Sequence, residues 1–113
     1  MFMDLSIRER LLLLGLDTLP QVGNILTLKI KKDIIGQLGF TEQEVKDYGI
    51  VLDGDKASWD FTRMDTKDIE IGEQGLSLII EAMEKSTTLN DDYVPLYDRF
   101  TQARKDLTAA KEA

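Results

Sequence analysis

The residues of this chain that could do chemistry are almost all carboxylates, because it contains no histidine and no cysteine. That composition removes imidazole general bases, thiolate nucleophiles, the serine–histidine pair and disulfides. Asp53 and Asp55, flanking Gly54, are the most suggestive acidic pair. A calcium loop counted from Asp53 requires glycine at its sixth position and glutamate at its twelfth, and Ser58 and Met64 stand there. The two aspartates are therefore read as building and solvating a turn. Neither a metal nor any other cofactor is expected, and the chain is read as non-enzymatic.

Two further patterns touch phosphate chemistry. Gly72-Glu73-Gln74-Gly75 lies between a strand and a helix, where backbone amides could meet an anion. It lacks the lysine of a phosphate-binding loop and the third glycine of a dinucleotide fingerprint, and Glu73 would repel the ligand. A tight turn and helix start is the simpler reading. Lys29, Lys31 and Lys32 form the one positive cluster, with Lys29 and Lys32 on a common helix face. A solvated face explains them; with Arg63 they could instead hold a small anionic nucleotide inside an oligomer.

The formal charge is −7, and it is concentrated. Residues 1–46 hold six acids and six bases, residues 74–113 seven and five, and residues 47–73 eight and three. Such a balance disfavours nucleic acid, where lysine and arginine displace counterions, and favours a protein partner with a basic surface. The same middle segment carries Trp59, the only tryptophan, near Tyr48, Phe61 and Met64. Aromatic residues are enriched at binding hot spots, yet a lone tryptophan on a small sheet also suits a core. Asp53, Asp55, Asp60 and Trp59 are the candidate partner-binding residues.

The elements that must position them follow from periodicity and caps. Ser6 and Glu9 form a capping box for a helix ending near Leu14, and Thr41 with Glu44 repeats the device for a short helix to about Tyr48. Asn24 caps a helix over 25–38, in which Leu26, Ile30, Ile34 and Leu38 recur every four residues with Ile25, Leu28 and Ile35 beside them. Gly39 suits a left-handed stop. Residues 50–52 and 58–63 read as a hairpin around a turn, with Trp59 and Phe61 on one face, and 68–71 reads as a third strand. Helices follow over 73–85 and from about Tyr93, with Pro95 in the first turn of the latter and a tail beyond Leu107 that has little to bury. The expected fold is α+β and mainly helical, about five helices with a two- or three-stranded antiparallel sheet, in a single domain over 1–113.

Helix, helix, short helix and hairpin is also the order of a winged-helix DNA-binding domain. Here the recognition helix would carry Glu42, Glu44 and Asp47 against Lys46 alone, so phosphate would be repelled. The run Leu11–Leu14 is far shorter than the roughly 20 residues of a membrane span, and no secretory leader is read, so a cytoplasmic protein is expected.

Glu9-Arg10-Leu11-Leu12-Leu13, Gly23-Asn24-Ile25-Leu26-Thr27-Leu28-Lys29, Ile69-Glu70-Ile71-Gly72-Glu73 and Leu96-Tyr97-Asp98-Arg99-Phe100 together resemble a group of small uncharacterised proteins of tailed bacteriophages and prophages. The resemblance implies an accessory role and carries no active site: inhibition of a host factor or defence system, sequestration of a signal, or modulation of replication or transcription. The leading expectation is an acidic inhibitor or modulator, homo-oligomeric, acting through protein contacts. A binder of an anionic nucleotide is the alternative, and a winged-helix regulator the third reading.

Overall fold

Met3 and Leu5 alternate with Phe2 and Asp4 ahead of the first helix, and this period of two makes a strand whose aliphatic side chains are buried. The computed structural model describes residues 2–54 and 56–112. In chain order the elements are β1 (Phe2–Ser6), α1 (Ile7–Leu14), α2 (Ile25–Leu38), α3 (Glu42–Tyr48), β2 (Val51–Asp53), β3 (Lys56–Ser58), β4 (Thr66–Glu70), α4 (Glu73–Lys85) and α5 (Tyr93–Glu112). The fold is α+β and mainly helical, with two separate antiparallel ribbons, β1–β4 and β2–β3.

Strand β4 is the third strand expected near 68–71, but it does not extend the hairpin. It pairs with β1, Met3 opposite Ile69 and Leu5 opposite Lys67. Pairing places Met3, Leu5 and Ile69 on one buried surface, together with Leu76, Ile79 and Ile80 of α4 and Leu96 and Phe100 of α5. Helix side chains bond to one residue on each edge of this ribbon. On the β4 edge the Gln37 amide donates to the Glu70 carbonyl and accepts from the Glu70 amide, each at 2.9 Å. On the other, Arg99 donates to the Asp4 carbonyl at 2.7 Å and pairs with Glu9. Free strand edges template unwanted pairing, and these two contacts blunt that tendency.

Ser6, Asn24 and Thr41 cap α1, α2 and α3 through their side chains, and both capping boxes are complete. The left-handed position falls at Gly49 (φ 64°) after α3, not at Gly39, which is extended (φ −61°, ψ 157°). Gly39 continues straight into the Thr41 cap, whereas the chain must reverse from α3 into β2.

Helix α2 is only half covered. Ile34 and Leu38 are buried, but Leu26 is 69% and Ile25 66% exposed, contrary to a continuous apolar stripe. A spacing of four advances the side chain by about 40° per step on a helix of 3.6 residues per turn, so Leu26 has rotated well away from Leu38. Ile25 lies on nearly the opposite side from Ile34. At the far end of this contact Gly75 lets α4 approach: a Cβ there would lie 3.0 Å from both Ile34 Cδ1 and Ile71 Cγ2. Close helix packing thus accounts for the second glycine of the Gly72–Gly75 turn.

Candidate functional site

The scaffold beneath the hairpin is anchored by Arg10, a residue that sequence periodicity passes over because it sits next to a leucine run. Its side chain is 1% exposed. Nε donates to the Leu38 carbonyl at 3.1 Å, Nη2 to the Gly39 carbonyl at 2.6 Å, and Nη1 to Glu44 Oε2 at 2.8 Å, while the guanidinium lies 3.9 Å above the Phe40 ring. Each nitrogen of the planar fork donates a hydrogen bond, as burial of a charge demands. Glu44 also completes the α3 capping box, so one carboxylate ties α1, the α2–α3 link and α3 together. Its hydrogen bonds from Arg10 outweigh the opposing effect of burial and lower its pKa to about 2.

On this base stands the hairpin. Val51 pairs with Ser58, Leu52 with Ala57 and Asp53 with Lys56, and both strands are exposed throughout. Leu11, Leu14, Phe40, Val45 and Ile50 form with Leu52 the apolar lining of a groove of about 610 Å³ between α1, α3 and the ribbon. Leu52 itself is 71% exposed.

Strand β3 stops at Ser58, short of the predicted 58–63, because Asp60 bends the chain. Its Oδ1 accepts from the Thr62 amide at 3.0 Å and the Thr62 hydroxyl at 2.6 Å, while its own amide donates to the Tyr48 carbonyl. A local side-chain turn of this kind competes directly with a sheet ladder. The Thr62 hydrogen bonds lower the Asp60 pKa. Trp59 and Phe61 therefore do not share a strand face. Their rings meet tilted by 51° with centroids 4.7 Å apart, Trp59 being half-buried and Phe61 and Met64 exposed at 72% and 86%.

The candidate residues are thus dispersed by role. Asp53 sits at the hairpin tip opposite Lys56, and Asp60 spends its carboxylate on the turn. Asp55 lies outside the described residues. Trp59 belongs partly to the interior and partly to the exposed loop. Arg63 is committed within the fold: it makes a two-pronged pair with Asp65 at 3.0 and 3.1 Å, donates to the Asp47 carbonyl and lies over the Tyr48 ring. Lys29 lines a different groove, between α2 and the start of α4, which Lys31 and Lys32 do not line. Asp33, Glu70 and Glu73 share that lining. The lysine cluster and Arg63 are therefore not assembled into one anion site.

Among the described residues no group of three or more metal-ligating side chains converges, and no helix is long and apolar enough to cross a membrane. No family model, curated protein or solved structure matches this chain. The groove beside the hairpin could not be found from the sequence, because its lining comes from α1, the α2–α3 link, α3, β2 and β3.

Proposed function

We propose that this protein is a non-enzymatic binding protein whose partner-facing surface is the β2–β3 ribbon with the 59–64 loop and the groove beside them. One observation carries the reading: Leu52, Phe61 and Met64 are large apolar side chains left in water, Leu52 on the lining of an apolar groove that also holds Lys56, and Phe61 and Met64 in the loop after the ribbon, with Asp53 and Asp60 next to them in the chain. Apolar anchors inside a charged rim are the usual anatomy of a protein-binding patch. The complementary partner has an apolar anchor flanked by lysine or arginine, and the acids steer its approach. If the chain is akin to the small phage proteins that its motifs resemble, this binding role is that of an accessory inhibitor or modulator of a host factor in the host cytoplasm, with self-association as a further expectation. The nucleotide reading has less support, because acids surround Lys29 and Arg63 is already paired.

The test separates charge from apolar contact. Capture of partners from host lysate on immobilised protein is expected to drop sharply with the Phe61→Ala, Met64→Ala double variant. With Asp53→Lys it is expected to become less sensitive to salt. Asp60→Asn keeps the turn acceptor while removing the charge, so it reports steering without unfolding the loop. Undiminished capture by all three variants would end this reading.

A further inference from the structure

A second groove runs along the α2–α4 face. Two adjoining hollows of about 500 and 620 Å³ share Ile30, Glu73 and Gln74 and form one continuous groove along α2 and α4. Leu26 and Leu78 line it, and Leu26 stands exposed there, where α2 has rotated out of the core. Its charge is one-sided: Asp33, Glu70, Glu73 and Glu81 line it against Lys29 alone. Glu70 and Glu81 form no ion pair with a described residue.

From this geometry we infer that the groove binds an amphipathic α-helix of a partner protein, with leucine-like residues on one face and lysine or arginine along its flank. The helical form follows from the end of β4 that lines the groove. Gln37 already occupies the outward amide and carbonyl of Glu70, so the groove offers side chains and no free ladder to an extended peptide. A helix satisfies its own backbone and needs only the apolar floor. Its charge follows from the acidic wall, where Glu70 and Glu81 are exposed and outnumber the single lining lysine, Lys29.

The test is fluorescence anisotropy with a labelled leucine–lysine amphipathic peptide of about five turns, against the matching leucine–glutamate peptide. The leucine–lysine peptide is expected to bind and its acidic counterpart to fail. Leu26→Asp and Glu81→Lys should each weaken binding by about tenfold or more. Asp53→Lys changes the net charge as much as Glu81→Lys but lies on the hairpin, and it is expected to leave binding near the wild-type value. The inference is overturned by absence of binding, by equal binding of the acidic peptide, or by equal weakening from Asp53→Lys. It is overturned too if sedimentation shows a dimer that Leu26→Asp converts to monomer, since a second copy is then the occupant. Loss of the hairpin function through Phe61→Ala leaves this result untouched, so the two surfaces are tested separately.

Discussion

Replacing Arg10 with alanine is expected to destabilise the protein by about 3–5 kcal/mol, the usual cost of removing one partner from a buried charged pair. A domain of this size has roughly 5–15 kcal/mol in total, so chemical denaturation should show a large loss. The reason lies in what remains: the Leu38 and Gly39 carbonyls and the Glu44 carboxylate lose their donors in a site that water reaches poorly. Arg10→Lys should not restore stability, because an ammonium cannot reach three acceptors with a planar fork. Acid gives a second readout. Folding lowers the Glu44 pKa from 4.5 to about 2, so its stabilisation is complete above about pH 4.5 and is lost as pH falls through the folded value. Allowing for the solvent that reaches this carboxylate, the contribution is about 2 kcal/mol. The wild type should therefore lose stability between pH 4.5 and 2 more steeply than Glu44→Gln. Equal acid sensitivity of the two proteins would remove Glu44 from the account.

Phe100→Ala should cost about 3–5 kcal/mol by the same denaturation measurement, whereas Phe61→Ala should change stability by less than about 0.5 kcal/mol. The residue type and the substitution are identical; the surroundings are opposite. Phe100 is fully buried in the cluster that joins β1, α4 and α5, and its removal leaves a void that rigid neighbours on three elements cannot fill. Phe61 meets water and the Trp59 ring. If Phe61→Ala proves as damaging as Phe100→Ala, the 59–64 loop is part of the core and the proposed binding face fails with it.

The comparison also marks what could be read from the chain. Helix starts were legible because a cap is a local event: Ser6 with Glu9, and Thr41 with Glu44, lie three residues apart and meet in the structure as their types demand. Helix α4 was equally plain and so was the start of α5, although α5 runs on to Glu112, past the Leu107 beyond which the chain was expected to fray. The role of Arg10 was not, since its acceptors lie some thirty residues away and nothing near it in sequence announces them. Strand β1 was missed for a related reason: five residues carry only two buried positions, and their partner is far along the chain. Asp60 misled in the opposite way. Alternating Trp59, Asp60, Phe61 and Thr62 fits a strand, but the aspartate's reach to Thr62 wins locally and turns the chain. The acidic excess was visible; that Asp60 turns the loop through Thr62 and that Asp65 pairs with Arg63 was not.

The β1–β4 ribbon sets an order of events during synthesis. It joins Ser6 to Thr66 and Phe2 to Glu70, so β1 leaves the ribosome long before its partner exists. Meanwhile Met3 and Leu5 have no cover, and a nascent chain in this condition is a natural client for a chaperone. Arg10 waits less, since its acceptors all lie within residues 38–44. In refolding of the full chain, pulse-labelled hydrogen exchange is expected to protect α1 and α3 before the amides of Met3 and Leu5. Simultaneous protection would mean that the two ends close in one step.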